Sequence, residues 1–412
     1  MVVRLPNLAQ DGTLIMIPKR TSVPLDQIPA ALEKTGFILE HMVDDVFKKN
    51  GWSTIGGRYY ADDVDGRARE LDLVAYRAEK LQDIEVVAAV LVSCKKDEAL
   101  TWAFLTKERP RSDPNFDWNP VHVWTDVEPL STYIKTESWK GEHTEALGKK
   151  YRDMFSPRSA IFAFQQLGLT PPQGGKKAAT KDASNGTDAL AEVGRVTPRN
   201  DDQIFSSIVS VMKALDYEVD LLGTRVPNRK RLYHFTLLSV VDAPLVEVAY
   251  EGRSTSVNEI DAITHLARYM VKRRELSALI HFVSASSLSA YVECMTIAAT
   301  KSAEFFSDLV AKSYQAIEGN PKVRRIIASR IKGRLIWRIN ATIEGQTGER
   351  GEIAELSLDY RKGRLELEVD TFDEDLLKIL NEDQGLRDQV RKILKDQARY
   401  EGEFVFTENL PF

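Results

Sequence analysis

The stretch Arg69-Glu70-Leu71-Asp72-Leu73-Val74-Ala75-Tyr76, followed by Val86-Val87-Ala88-Ala89-Val90-Leu91-Val92-Ser93-Cys94-Lys95, decides how the chain is read. Both runs are rich in residues that favour strands, and a Gly/Asp-containing turn at Asp62–Gly66 precedes them. If they pair antiparallel with Asp72 opposite Ser93, period-two alternation puts Glu70, Asp72, Ser93 and Lys95 on one face. Leu71, Leu73 and Val92 are then expected in the core, and Cys94 points away from the charged face. Charges gathered between apolar neighbours are costly unless exposed, compensated or used.

Working outward, Phe37, Leu39, Met42, Val43, Val46 and Phe47 recur at helical spacing, and Asn50-Gly51 is a helix stop, so a helix is expected over Phe37–Lys49. Trp52–Tyr60 reads as an extended pair broken at Gly56-Gly57, Trp102 and Phe104 as a further extended segment, and Ala146–Met154 as a helix. The order is a helix followed by a β-meander. The first 30 residues, rich in Pro and mixed in character, read as an irregular lead-in. From Thr170 to Asn200 aromatic residues vanish and Pro, Gly, Ala, Ser, Lys and Thr dominate, which reads as a flexible linker.

Beyond it the expected order is a helix over Asp201–Leu215, a hairpin over Tyr233–Tyr250 cornered at Asp242-Ala243-Pro244, a helix at Val257–Arg274, a strand at Ala278–Val283 and a helix at Leu288–Ser313. The last part reads as a basic helix over Lys322–Lys332, strands at Leu335–Ile343, Ile353–Tyr360 and Arg364–Val369, and charged helices ending near Tyr400. The two halves share a rough helix-then-strand rhythm, with Leu91-Val92 and Leu245-Val246 in comparable places. An internal repeat and chance are both open explanations of it.

Length and composition set outer bounds. The chain has 412 residues, enough for two or three domains at about 100 to 200 residues each. Its net charge of −5 argues against a uniformly basic nucleic-acid coat, so any such contact must come from local patches. Cys94 and Cys294 are too few for a disulfide framework, and no Cys-x-x-Cys or His-rich spacing suggests zinc. A cytoplasmic location is expected. The apolar run Val86–Val92 is far below the ~20 residues of a spanning helix. No phosphate-cradling Gly-x-x-x-x-Gly-Lys-Ser/Thr loop and no His-Glu-x-x-His is present.

Gly36-Phe37-Ile38-Leu39-Glu40, Gly51-Trp52, Tyr59-Tyr60, Asp62, Gly66, Arg69 to Ala75, Leu91 to Lys96 and Trp102-Ala103-Phe104, taken in order, resemble the restriction-endonuclease-like PD-(D/E)xK superfamily, and within it the Mrr-like group. The resemblance implies an α/β fold. It further implies that Asp72 is a Mg²⁺ (or Mn²⁺) ligand, that Lys95 positions or activates the attacking water, and that Glu40 reaches towards the metal. Ser93 stands where relatives carry a glutamate or aspartate, and a hydroxyl is a poor Mg²⁺ ligand beside a carboxylate. Three explanations are open. The site is degenerate and the domain only binds; Glu70 or Glu40 supplies the missing carboxylate; or Ser93 is an inactivating substitution. Glu70 and Lys95 as an ordinary cross-strand ion pair, and Cys94 as a small core residue, are the plainer alternatives.

The expected organisation is therefore a lead-in (1–30), a restriction-endonuclease-like αβ domain (31–169), a linker (170–200), a second α/β domain (201–318) and a C-terminal α+β extension (319–412). The expected function is a DNA-interacting nuclease-family protein of prokaryotic defence, or an inactive binding or scaffold protein on the same fold. DNA is the expected partner, with other defence proteins or self-association possible. The cations expected to meet DNA phosphates are Lys322, Arg324, Arg325, Arg330, Lys332 and Arg334. Clusters at Arg225–Arg231 and Lys272–Arg274 are weaker, the latter expected to close a helix. Asp242 and Glu247 lack a following lysine, since position 249 is Ala, and are expected to be structural.

Overall fold

The computed structural model describes residues 23–62, 66–81, 84–110, 112, 120–136, 139–170, 195–224, 230–252, 254–271 and 273–409. Helix α1 (Ile28–Leu32) precedes α2 (Phe37–Lys49), whose stripe Leu39, Val43 and Phe47 is buried, as the spacing requires. Strands β1 (Ser53–Ala61), β2 (Ala68–Leu81) and β3 (Ile84–Lys96) form an antiparallel meander, and β4 (Leu100–Glu108) leaves it for another sheet. Then come β5 (His122–Thr125), α3 (Glu128–Tyr133), α4 (Trp139–Ala146), α5 (Lys149–Phe155) and β6 (Ser159–Thr170). The helix expected at Ala146–Met154 is α5, which begins at Lys149 because Gly148 turns the chain at φ +76°, a conformation open to glycine.

Strand β7 (Arg195–Pro198) is the described part of the expected linker's second half; residues 171–194 lie outside the described residues. Helix α6 (Asp202–Thr224) is followed by β8 (Arg231–Asp242), β9 (Leu245–Glu251), β10 (Ser254–Ile260), β11 (Ala262–Val271), β12 (Arg274–Ser284) and α7 (Leu288–Gln315). The chain closes with α8 (Pro321–Thr347), β13 (Leu356–Arg361), β14 (Arg364–Val369), α9 (Glu374–Glu382), α10 (Gln384–Ala398) and β15 (Phe404–Glu408).

The fold is mixed α/β, built on three sheets. The first runs β1-β2-β3-β8-β12-β11, with β5 also on β8; the second runs β10-β9-β4-β6-β7; the third is β13-β14-β15. Helices α2 and α7 cover one face of the first sheet, around Leu73, Val90, Val92, Leu238 and Val292. Helix α6 covers the other, where Leu71, Leu91, Val211, Leu215 and Leu237 meet Trp102 and Phe104 of the second sheet.

Residues 31–169 and 201–318, expected as separate units, share both of these sheets. Strand β3 lies parallel to β8 from Glu85↔Arg231 to Lys96↔Asp242, and β4 lies parallel to β9. The expected hairpin at Tyr233–Tyr250 is accordingly not a hairpin. Strands β8 and β9 belong to different sheets, and Ala243-Pro244 carries the chain across, as Asp97–Ala99 does between β3 and β4. The two crossings are bonded to each other, Asp97 N–H to the Asp242 carbonyl at 3.1 Å and Trp102 N–H to the Pro244 carbonyl at 2.9 Å. The matched rhythm of the halves is real at this level, but Leu91 and Val92 stand beside Leu237 and Leu238, not Leu245 and Val246.

Two further expectations are corrected. No helix forms at Val257–Arg274, where β10 and β11 run, because every residue from Ala262 to Val271 finds a cross-strand partner on β12. Arg273 sits in the β11–β12 turn, not at a helix end; Lys272, like Arg225 to Arg229, lies outside the described residues. Likewise Leu335–Ile343 is not a strand. Val323, Ile327, Ile331, Leu335, Ile339 and Ile343 recur every four residues, and the one buried stripe they make holds α8 helical through Gly333. That stripe packs on β13, β14 and α10 in a core of its own.

Candidate functional site

The β2–β3 ladder pairs Leu73 with Val92 and goes no further. At the next level β2 is irregular: Leu71 enters the core beneath α6, whereas Leu73 enters the core beneath α2 and α7, so strict alternation fails between them. Opposite, on β1, Gly57 takes φ +58°. The Asp72 carboxylate fills the gap left by the ladder and accepts the Cys94 backbone N–H at 2.6 Å. Its pKa is raised because burial penalises the charge, with Glu70 adding to the effect; the Cys94 N–H, Lys95 and the Ser93 hydroxyl act against it.

The other acids arrive from two directions. Glu70 stands across β1 from Tyr59, whose phenol it holds above its ordinary pKa. Glu40 comes from the first turn of α2, and the end of α1 that precedes it is tied to the end of β3 by Lys96 donating to the Glu33 carbonyl at 2.5 Å. Burial raises the pKa of Glu40, then the charges of Asp72 and Glu70, while Lys95 lowers it. Glu40, Glu70, Asp72 and Lys95 therefore share one electrostatic neighbourhood. They are not yet a closed cation cage: the three carboxylates do not bring ligand atoms within 4.8 Å of one another. Among the described residues the group that does is His41, Asp44 and Asp45, where Asp44 is already engaged by Lys48 at 2.6 Å and Thr54 at 2.5 Å.

Lys95 makes no hydrogen bond or ion pair among the described residues and faces a cleft of about 350 Å³. Tyr60, Arg69 and Glu70 line the same cleft from the sheet, and Phe205, Ser206, Ser210 and Lys213 from α6. Lys213 and Arg69 converge on the buried carboxylate of Asp62, Arg69 at 3.1 Å. The α6 wall was not legible as part of a site. Its one signal is Phe205, an aromatic residue one step off the apolar stripe of Ile204, Ile208 and Val211, and 53% exposed.

Ser93 is fully buried and its hydroxyl has no hydrogen-bond partner. It lies near enough to Asp72 to favour the charged carboxylate without reaching bonding geometry. Its parallel neighbour Ser239 is bonded instead to Ser207 of α6 at 2.6 Å. Position 93 thus faces a layer of small hydroxyl residues under α6, not open solvent. Cys94 is an inert core thiol whose pKa burial pushes well up. Lys96 is engaged by Glu98 at 2.9 Å, and Glu247 accepts from Thr106 at 2.8 Å, the structural role expected of it.

The C-terminal cations divide. Arg324, expected at a DNA surface, is instead buried: it donates to the carbonyls of Ile317 and Glu318, both at 3.1 Å, and pairs with Asp359 at 3.0 Å. Lys332 pairs with Glu355 at 2.5 Å. Lys322, Arg325, Arg330 and Arg334 are exposed.

Compared with known proteins, the chain matches no family model, no curated protein and no solved structure. The likeness to PD-(D/E)xK enzymes rests on the residues quoted above. No helix among the described residues is long and apolar enough to cross a membrane.

Proposed function

We propose that this chain is a nuclease-family protein that engages DNA and hydrolyses its phosphodiester bonds with Mg²⁺ or Mn²⁺ at the Glu40, Glu70, Asp72 and Lys95 cluster, in a cytoplasmic defence role. The observation that carries this reading is the meeting of three carboxylates and an unpaired lysine in one electrostatic neighbourhood, with Glu70 and Lys95 lining the cleft and with Asp72 and Glu40 both held above their ordinary pKa. Carboxylates that raise one another's pKa in a partly buried site are hard oxygen donors that a divalent cation would relieve. Asp72 and Glu70 would hold the ion, with Glu40 as the third donor. When bound, such an ion activates water and polarises the phosphate.

The chain's own residues do the rest. Cys94 N–H fixes the Asp72 carboxylate. Lys95, free of partners, orients the attacking water or neutralises charge developing on the phosphate. Arg69 and Lys213, on the cleft wall, attract the polyanion.

A second reading keeps the fold and the DNA contact but not catalysis. It is favoured by the buried, unpartnered Ser93 at the motif acid's place and by the open spacing of the three carboxylates. Plasmid nicking in Mg²⁺ and in Mn²⁺ decides between them. Loss of nicking in both Asp72→Asn and Lys95→Ala supports hydrolysis at this site; nicking that survives both rejects it. No nicking by the parent chain, with DNA binding intact, supports the second reading.

A further inference from the structure

Helix α8 is built with two unlike faces. One is the buried stripe from Val323 to Ile343 described above. The other carries Lys322, Arg330 and Arg334, with Ser329, Gly333 and Trp337, all exposed. At 100° per residue Trp337 falls between Gly333 and Arg330, with Arg334 beside it. No ion pair or hydrogen bond engages the side chains of Lys322, Arg325, Arg330 or Arg334 among the described residues, in a chain whose net charge is −5. Trp337 is 68% exposed, and the Arg338 guanidinium lies 5.7 Å from its ring centroid, so part of the ring's surface is open to solvent.

A single exposed tryptophan needs no explanation. This one stands in an electrostatic setting that is unfavourable without a partner. Arg330 and Arg334 are like charges at i, i+4, a destabilising arrangement on a helix. The first turn of α8 holds the exposed Lys322 and no acid, against the polarity of the helix dipole. An anion along this face relieves both. From Lys322 to Arg334 the helix rises about 18 Å, so the anion that fits is extended, with repeated charge.

We propose that this face of α8 is a second nucleic-acid-binding surface, separate from the cleft, on which Lys322, Arg330 and Arg334 neutralise phosphates of a single strand and Trp337 stacks on one of its bases. Gly333 and Ser329 leave a shelf free of large side chains where a base can lie flat beside the ring. A single strand is the form whose bases are open to stacking, and such stacking on an aromatic residue is tolerant of sequence. An anionic membrane is disfavoured because α8's apolar stripe is committed to the core and its outer face offers one large apolar residue, less than an interfacial helix needs. The proposal shares with the proposed function only the assumption that the chain works on nucleic acid.

The test is a fluorescence-anisotropy titration of the full chain with a labelled single-stranded DNA 20-mer in EDTA, so that cleavage plays no part. Arg330→Ala/Arg334→Ala is expected to weaken binding at least tenfold and to reduce the salt slope by roughly 1.4, the share of two phosphate contacts on a single strand. Trp337→Ala is expected to weaken binding about five- to a hundredfold with the slope unchanged, the range of one lost stacking contact, and Trp337→Phe to restore most of it. Binding equal to the parent in both variants overturns the proposal. So does displacement of the oligonucleotide by anionic vesicles or polyglutamate at matched charge, which would make the face a general anion or protein-docking surface. Lys95→Ala reports on the cleft: if it alone loses the strand, binding belongs to the cleft, and the α8 proposal fails while the proposed function stands.

Discussion

Asp72 Oδ2 accepts the backbone N–H of Cys94 at 2.6 Å, where a β2 carbonyl would stand had the ladder continued. The side chain that the sequence marks as a metal ligand is therefore also a structural plug at the point where β2 and β3 part. Its two roles predict different mutant behaviour. Asp72→Ala leaves a buried N–H without an acceptor and should lower stability by about 1–3 kcal/mol, read from urea unfolding. Asp72→Asn retains an acceptor and should stay near the parent in stability while losing divalent-metal affinity in isothermal calorimetry. Equal metal binding by the Asn variant would remove Asp72 from the donor set.

Ser93 makes no hydrogen bond to lose. Ser93→Ala should therefore be stable to within about 0.5 kcal/mol of the parent, the scale of substitutions that break nothing. Ser93→Glu is different, because position 93 is fully buried. Overpacking and an added charge should cost several degrees of Tm, even if a fourth carboxylate raises metal affinity. A Glu variant with parental Tm would show that the site opens more than the buried serine implies.

Acidification should destabilise the fold through its histidines. His143, His234 and His281 are buried among Phe155, Phe306 and one another's rings. Burial lowers the pKa of His143 and His281 to about 4, and that of His234 well below its ordinary value. The unfolded chain protonates these groups near 6.5, the folded chain His143 and His281 only near 4 and His234 well below its ordinary value, so their contribution is complete above 6.5 and is lost as pH falls below it. Each can remove up to about 1.4 kcal/mol per pH unit in that window. Glu40 and Asp72, with raised pKa, act in the opposite sense and favour the fold as they take up protons. Urea midpoints at pH 7.5 and 5.0 should show a net loss at the lower pH; an unchanged midpoint would mean the imidazoles are not held neutral.

Severing the chain between Thr170 and Arg195, with a protease site placed there, should not release two domains. The β3–β8 and β4–β9 pairings and the shared core around Trp102, Phe104 and Val211 span the cut. The fragments should co-elute in gel filtration until denaturant is added. Separation in native buffer would contradict the shared sheets.

Phe205→Ala removes the exposed aromatic wall of the cleft without touching the acids or Lys95. If substrate occupies that cleft, KM for a single-stranded oligonucleotide should rise several-fold with little change in kcat, the pattern of lost uniform binding. A fall in kcat alone would place Phe205 in positioning of the reacting phosphate instead.

The sequence alone determined the local elements whose pattern has one reading: α2 from its heptad-like stripe and Asn50-Gly51 stop, the β2 and β3 runs, β14 and α7. It also singled out Glu70, Asp72 and Lys95, because charged residues between strand-forming neighbours stand out in one dimension, whereas Glu40, on α2, was pointed to only by the resemblance. What it misjudged was decided by partners distant in the chain. Ile260, Ile263, Leu266, Ala267 and Val271 fit helical spacing, but β12 pairs with that stretch and makes it a strand. Leu335–Ile343 fits a strand locally, but the four-residue repeat begun at Val323 commits it to α8. Only the tertiary structure decided that β3 and β8 join two apparent domains in one sheet, that Arg324 is internal, and that Phe205 and Lys213 of α6 face Lys95 across a cleft. Cross-strand hydrogen bonds and the closing of a core depend on which distant segments meet, and that information lies in the whole chain together, not in any window of it.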